Sequence, residues 1–245
     1  MGTPPFEVNI RYSITAFTML ATVGPVSSHT GRRRYEAPAR RAKAALTRRA
    51  ILDAAEAEFA RVGYTATTVV ALAHAAGVAP ETVYAVFGSK LGVLEALVGR
   101  AIGGDDEPLA LFDRAWVGEM AREPDLDRRV DRLASEGAAI LARRSAVDEV
   151  VTQAAGADPE AAKLLAITRR ERLEGQRRLL ELVMGHASGV SRDALEEAGD
   201  SLFAIGSPEV YRLLVVGRGW SHAHFASWYA AAIRNVVASA RSGGS

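Results

Sequence analysis

Residues 67–90 read TTVVALAHAAGVAPETVYAVFGSK, and the rest of the chain is interpreted from this stretch. Thr68 is a candidate N-cap, because its hydroxyl can accept a hydrogen bond from a free backbone N–H in the first turn of a helix. Gly77 stands where that helix must stop, and Pro80 suits the first position of a second helix, since proline has no N–H to leave unpaired. Gly88 ends the second helix. The stretch therefore predicts two short helices joined by a tight turn.

The second of these helices has an inner and an outer side. Val83 and Phe87 are four residues apart and share the apolar side. The residues left nearer the outside are Glu81, Thr82, Tyr84 and Ala85. Two short helices with a glycine-containing turn are typical of a helix-turn-helix, whose second helix lies in the DNA major groove. An ordinary helical hairpin without a DNA role has the same spacing, so the spacing alone leaves both interpretations open.

Individual residues of the motif say more than its spacing. They are Thr67, Thr68, Ala76, Gly77, Val78, Thr82, Val83, Tyr84, Phe87, Lys90 and Leu94. With these residues the sequence resembles the N-terminal DNA-binding domain of the TetR family of transcriptional regulators over residues 46–102, with the motif at about 68–87. The resemblance implies a three-helix DNA-binding head, followed at 105–245 by a larger helical domain for effector binding and dimerisation.

Composition and charge fit a globular DNA-binding protein. The 245 residues are 49% hydrophobic and 24% charged, which allows a sizeable core. The absence of cysteine excludes disulfides and thiolate chemistry and fits the cytoplasm, where we expect the protein. The net charge of +1 is unevenly divided, because residues 31–50 carry eight basic side chains and one acidic one, or +7, which leaves −6 for the remainder. A basic segment directly before the motif suits contact with phosphates.

Residues 1–45 are predicted to form a disordered, partly basic tail. The apolar run at 14–26 is shorter than the roughly 20 residues of a membrane span, so no membrane partner is expected. Arg11 before this run leaves a signal peptide as an alternative, and Met19 leaves an internal start of translation as another. The arginine-rich run at 32–43 is either a DNA-contacting arm or an ordinary solvated charge run.

Helical periodicity extends over the rest of the chain. An amphipathic helix at 47–62, ended by Gly63, should support the motif, and a helix at 89–102 leads from the head to the body. Further helices are predicted at 109–121, 126–144, 146–155, 160–184, 191–205, 208–217 and 221–240. No strand pattern is present, so we predict an all-α fold.

The predicted DNA contacts come from the motif and the helix before it. Arg48 and Arg49 lie in a first helical turn, where a cation is unfavourable unless a phosphate is near. The other candidates are Thr67, Thr68, Pro80, Glu81, Thr82, Tyr84, Ala85, Ser89 and Lys90. Tyr84 and Lys90 are expected to contact phosphates. Glu81 is either a base reader that accepts from cytosine N4 or only a helix-start charge.

The resemblance also implies a small-molecule effector in the body and a homodimer formed by the last helices. The candidate effector contacts are Phe112, Trp116, Met120, Leu165, Arg169 and Met184, each of which fits packing as well. The candidate dimer contacts are Leu195, Leu202, Phe225, Trp228, Tyr229, Ala232 and Val236. Taken alone, such apolar stripes fit a core as well as an interface.

Patterns of catalytic chemistry are absent from the sequence. There is no GxSxG, HExxH, GxxxxGKS or GxxxxGKT, so we predict neither an enzyme nor a cofactor or metal site. His222 and His224 are interpreted as polar residues of a first helical turn. We therefore expect a repressor that a small-molecule effector releases from its operator. The alternative is a dimeric small-molecule-binding or interaction protein without effective DNA binding.

Overall fold

The computed structural model describes residues 36–107, 109–185 and 190–242, and these residues form helices and no strand. The helices are α1 (Glu36–Ala66), α2 (Val69–Ala75), α3 (Pro80–Phe87), α4 (Lys90–Gly103), α5 (Ala115–Arg122), α6 (Leu126–Ala155), α7 (Pro159–Met184), α8 (Arg192–Ile205), α9 (Pro208–Tyr211) and α10 (His222–Ser242). A 3₁₀ turn at Leu111–Asp113 precedes α5, and a π-helical segment at Arg212–Gly217 follows α9. The prediction of an all-α fold is confirmed.

The first helix starts earlier than predicted. α1 begins at Glu36, so residues 36–45 are helical, although the sequence placed them in a disordered tail. This segment is rich in alanine, arginine and lysine, which are among the best helix formers. The rest of the predicted tail, residues 1–35, lies outside the described residues. Gly63 interrupts the regular helix with a φ of 79°, which agrees with the predicted end of this helix.

Two further boundaries differ from the prediction. Residues 126–155 form one continuous helix of 30 residues, because nothing at 144–146 breaks it and Arg144 pairs with Asp148 one turn later, at 2.8 Å. The helix predicted at 109–121 is instead a 3₁₀ turn followed by α5. Arg114 separates the two with an extended backbone.

The buried apolar side chains form two clusters. The body core lies among α5, α6, α7, α8 and α10, and its most deeply buried members include Met120, Val130, Leu180, Leu202, Phe225 and Ile233. The head core includes Ile51, Leu52, Leu72, Val83, Val93 and Leu94. It also contains Val147, Val151 and Ala154 from α6 and Ala161 and Leu164 from α7. The tip of the α6–α7 hairpin, residues 147–164, therefore completes the head core from beyond the predicted domain border at 102–105.

Three residues predicted at a dimer interface lie instead in the core of one chain. Leu202, Phe225 and Tyr229 are 1%, 0% and 3% exposed. They are buried because α8 packs on α7, α10 packs on α6, and α8 and α10 pack on each other. The other predicted interface residues are Leu195, Trp228, Ala232 and Val236, which are half-buried at the edge of the same core. Contact between these four residues and a partner subunit stays a prediction.

Candidate nucleic-acid interface

Local capping sets the geometry of the α2–α3 hairpin. The Thr68 hydroxyl accepts from the Ala71 N–H at 3.1 Å and so starts α2. Gly77 has a φ of 66°, a backbone conformation that residues other than glycine rarely adopt, and it turns the chain between the two helices. Pro80 opens α3 behind Ala79, which offers no side-chain cap. α2 and α3 are bent by 105° relative to each other, the arrangement of a helix-turn-helix.

The outer side of α3 is available to a ligand. Val83 is fully buried and Phe87 half-buried, so these two residues anchor the inner side as predicted. The exposed residues of α3 are Glu81, Tyr84, Ala85 and Val86, with Pro80 and Thr82 half-buried. Tyr84 is 53% exposed, which leaves its hydroxyl accessible for the predicted phosphate contact.

Thr67 has a structural position rather than the predicted place on the DNA surface. Its side chain is 2% exposed, and its hydroxyl donates to the Gly63 carbonyl at 2.8 Å. A buried hydroxyl that is already bonded cannot reach a phosphate. This corrects the expectation that Thr67 contacts DNA, whereas its neighbour Thr68 is exposed at the start of α2.

Lys90 holds the end of α1 to the start of α4. Its ammonium group donates to the backbone carbonyls of Tyr64 and Thr67, both at 2.8 Å, and lies 4.2 Å from the centre of the Tyr64 ring. We call these contacts the Lys90 staple. Two of the three ammonium hydrogens are therefore used within the chain, and only the third is left for the predicted phosphate contact.

The Lys90 staple is also connected to the body. The Tyr64 hydroxyl donates to a carboxylate oxygen of Asp158, the residue that caps α7, at 3.5 Å. Burial raises the pKa of Tyr64 to about 12, with a further contribution from Asp158, so the hydroxyl keeps its proton at neutral pH. Burial lowers the pKa of Lys90, and the charge of Asp158 opposes that shift. A movement of the α6–α7 tip would thus shift Asp158 and change its contact with Tyr64, one of the residues that Lys90 holds.

Arg48 and Arg49, both predicted to contact phosphates, have different surroundings. The Arg48 guanidinium lies 4.7 Å from the centre of the Phe87 ring, and burial lowers its pKa while Asp106 opposes the shift. Arg49 is 67% exposed, and its Nε lies 3.9 Å from carboxylate oxygens of both Asp53 and Asp106. A phosphate at Arg49 must compete with these carboxylates. Both DNA contacts stay predictions.

Sequence reasoning missed several exposed residues of the head. Val70 on α2 and Val86 on α3 are large apolar side chains that are 65% and 37% exposed. Helical spacing in the sequence already placed both residues off the buried faces of their helices, and this could have identified them as exposed. The early start of α1 also places Arg40, Arg41 and Lys43 on the exposed surface of a helix instead of in a tail.

The predicted effector contacts do not converge on one place. Trp116, Met120 and Met184 are buried in the body core, and Phe112 packs against it with the Arg178 guanidinium 4.0 Å from its ring centre. The other two predicted residues lie elsewhere. Leu165 packs against the head core, and Arg169 is 50% exposed and pairs with Glu209 at 3.3 Å. These positions exclude a single site made by all six residues.

A half-buried polar group in the body, formed by Arg172 and Gln176, was not predicted. Arg172 donates to the carbonyls of Phe203 and Gly206 at 2.8 and 3.3 Å, and burial lowers its pKa to about 10. Gln176, one turn later on α7, donates to Gly206 at 2.8 Å, while its Oε1 is buried without a partner among the described residues. The four-residue spacing of these two polar side chains in the sequence could have shown that they lie on the same side of α7.

Two further features of the described part of the chain concern metal ions and membranes. No group of three or more histidine, aspartate or glutamate side chains there could hold a metal ion. His224, one of the two neighbouring histidines of the sequence, is stacked on Trp220 with ring centres 4.0 Å apart. No single described helix is long and apolar enough to cross a membrane, and α2 and α3 meet that test only as a bent pair.

We expect the replacement of Thr68 with alanine to lower the free energy of unfolding by about 1 kcal/mol, because α2 loses the cap that its hydroxyl provides. Urea denaturation followed by circular dichroism measures this loss. The matched control is Ser239→Ala on the exposed side of α10, where we expect a change within about 0.5 kcal/mol. Equal effects at the two positions would contradict the capping role.

Comparisons with known proteins agree with the geometry of the head. Residues 51–97 match the family model described as bacterial regulatory proteins, tetR family. This match confirms the resemblance stated from the sequence. No curated protein matches the chain.

Solved structures share the fold over most of the chain. A TetR-family protein from Syntrophomonas wolfei is 17% identical with a TM-score of 0.60, over 78% of this chain and 95% of that one. The fatty acid degradation regulator FadR from Bacillus halodurans is 21% identical with a TM-score of 0.57, over 78% and 94%. A TetR-like transcriptional regulator from Rhodococcus is 18% identical with a TM-score of 0.52, over 78% and 96%. At these identities the likeness shows the fold, and the family match of the head supports a DNA-binding transcriptional regulator.

Proposed function

Because its head is that of the tetR family of bacterial regulatory proteins, we propose that this protein is a cytoplasmic, sequence-specific repressor that binds its operator as a homodimer. In this proposal a small-molecule effector binds the body and releases the DNA. The observation that carries the DNA-binding part is the exposed outer side of α3, with the Arg48 guanidinium of α1 lying 4.7 Å from the Phe87 ring at the end of α3. No enzymatic activity and no cofactor are assigned.

Two-fold symmetry supports the homodimer. Paired recognition helices read half-sites one helical turn, or a multiple of it, apart. A homodimer presents the same surface twice, as a palindromic operator does. The half-buried residues Trp228, Ala232 and Val236 on α10 are the proposed contact with the partner subunit.

The half-buried polar group on α7, Arg172 and Gln176, supports an effector site in the body. The unpartnered Oε1 of Gln176 is a hydrogen-bond acceptor that a ligand N–H or O–H would satisfy. Trp116, Met120 and Met184 supply apolar surface in the body core, and apolar surface with a few polar groups is usual for small-molecule sites. We propose that the effector contacts this group, and we assign no part of the site to Leu165 or Arg169.

Two observations favour the alternative function, a dimeric small-molecule-binding protein without effective DNA binding. The Lys90 ammonium is largely used within the chain, and Glu81 places a negative charge on the outer side of α3. The two functions differ in a single measurement. A repressor retards a duplex from upstream of its own gene in a gel at moderate salt, whereas the alternative protein does not.

The same gel tests the release by an effector. Small molecules from a library that raise the melting temperature of the protein are added to the protein–DNA complex. We expect at least one of them to release the DNA. Release requires that the compound bind the DNA-free arrangement of the protein better than the DNA-bound arrangement. Stabilising compounds that all leave the complex intact would contradict the effector mechanism but not the DNA binding.

A further inference from the structure

The sequence of α3, PETVYAVF, contains no arginine, lysine, asparagine or glutamine. These are the side chains that read guanine and adenine through bidentate hydrogen bonds in the major groove. The first turn of a recognition helix usually makes the base contacts. The outer side of α3 therefore has no means of reading a purine by bidentate hydrogen bonds.

Helix geometry identifies the middle of that outer side. Successive residues of an α-helix are about 100° apart, so Ala85 lies about 200° from both Val83 and Phe87. Since Val83 is fully buried and Phe87 half-buried, Ala85 is directed away from the head core. Glu81 is one turn earlier than Ala85 and shares its direction. The centre of the outer side is thus one carboxylate and one methyl group.

These two groups are complementary to pyrimidines. A carboxylate accepts a hydrogen bond from the N4 amino group of cytosine, and an alanine methyl packs on the C5 methyl of thymine. Glu81 and Ala85 are both exposed, and within the described residues neither makes an ion pair or a side-chain hydrogen bond that DNA would have to break. Ala85 is also small, which lets the α3 backbone lie close to the bases.

We propose, on the basis of the proposed function, that Glu81 and Ala85 determine the sequence of the operator half-site by reading a cytosine and a thymine. One helical turn advances about 5.4 Å and base pairs stack at about 3.4 Å, so the two pyrimidines lie one or two base steps apart. Thr82 is half-buried beside them, and the exposed Tyr84 is left for the predicted phosphate contact. The DNA recognised is thus a duplex whose half-site contains this pyrimidine pair.

The test begins with the full-length protein and a library of random duplexes, from which the bound sequences are selected. Each thymine of the selected half-site is then replaced with deoxyuridine, which removes only the C5 methyl group. We expect one thymine position at which this change weakens binding about fourfold, the effect of one buried methyl group. At a cytosine one or two steps away, any other base should weaken binding about tenfold or more.

Glu81→Gln tests the carboxylate. Glutamine reads adenine, so the preference for cytosine at that position over adenine should fall about tenfold or more, while the preferences at the other positions stay unchanged. The ratio of affinities is the readout, because loss of a negative charge strengthens binding to every duplex. The matched control is Glu174→Gln on the exposed surface of α7, which removes the same charge and should leave all ratios unchanged.

Two kinds of negative outcome are distinct. A protein that selects no duplex overturns the proposed function and this inference with it. A protein that selects a half-site indifferent to deoxyuridine, with base preferences that Glu81→Gln does not alter, overturns this inference alone. A half-site that depends on guanine or adenine at the positions facing Glu81 and Ala85 has the same consequence.

Discussion

Replacing Leu97 with alanine is expected to lower the free energy of unfolding of the whole protein by about 2–5 kcal/mol, the range of buried leucine-to-alanine changes. Leu97 is 2% exposed on α4 and belongs to the head core, which the α6–α7 tip completes with Val151 and Leu164. The cavity therefore lies where head and body meet. Because α4 packs on both α1 and α6, both parts of the molecule lose contacts.

Two probes of urea denaturation show whether head and body unfold together. All three tryptophans, at positions 116, 220 and 228, are in the body, so their fluorescence reports on the body, whereas circular dichroism reports on every helix. We expect both signals to shift together in Leu97→Ala. Leu46→Ala is the control, since Leu46 is 68% exposed, and the change there should be within about 0.5 kcal/mol. A fluorescence transition that stays in place while part of the helical signal is lost earlier would show that the head unfolds alone.

Replacing Lys90 with methionine is expected to lower the free energy of unfolding by about 2 kcal/mol and to weaken DNA binding at the same time. Methionine keeps an apolar stem but removes the ammonium group that donates to the carbonyls of Tyr64 and Thr67. The end of α1 is then no longer fixed to the start of α4. Thermal denaturation and DNA affinity at several salt concentrations measure the two effects.

The salt dependence separates the staple from a phosphate contact. A lost phosphate contact flattens the plot of log affinity against log salt by about 0.9. We expect the slope for Lys90→Met to stay within experimental error of the original slope, because the ammonium acts within the chain. Lys163→Met is the control for charge, since Lys163 is 62% exposed and pairs with Glu160 on α7. A slope flattened by about 0.9 without loss of stability would restore the phosphate role for Lys90.

The helix-turn-helix could be predicted from sequence because its determinants are local. The cap at Thr68 bonds three residues away, Gly77 acts through its own backbone, and Pro80 and Ser89 act at the helix they begin. The division of α3 into inner and outer sides follows from helical spacing alone. None of these features depends on how distant parts of the chain meet.

The roles of Thr67 and Lys90 could not be predicted in the same way. Lys90 meets its acceptors 23 and 26 residues earlier in the chain, and only the packing of α4 on α1 brings them together. The apolar stripes of α8 and α10 were ambiguous for a related reason. A stripe shows that a helix side is covered, but it does not show whether α6 or a partner subunit covers it, and for Leu202 and Phe225 the answer is the same chain.

Hydroxyl-radical footprinting of the selected duplex tests most directly whether the outer side of α3 binds DNA in a symmetric pair. The protein should protect two patches one helical turn, or a multiple of it, apart. Ala85→Asp places a charge in the middle of the outer side without entering the head core, so protection should disappear while the thermal stability remains. An Ala85→Asp variant that gives the same two patches at the same protein concentration would contradict the account.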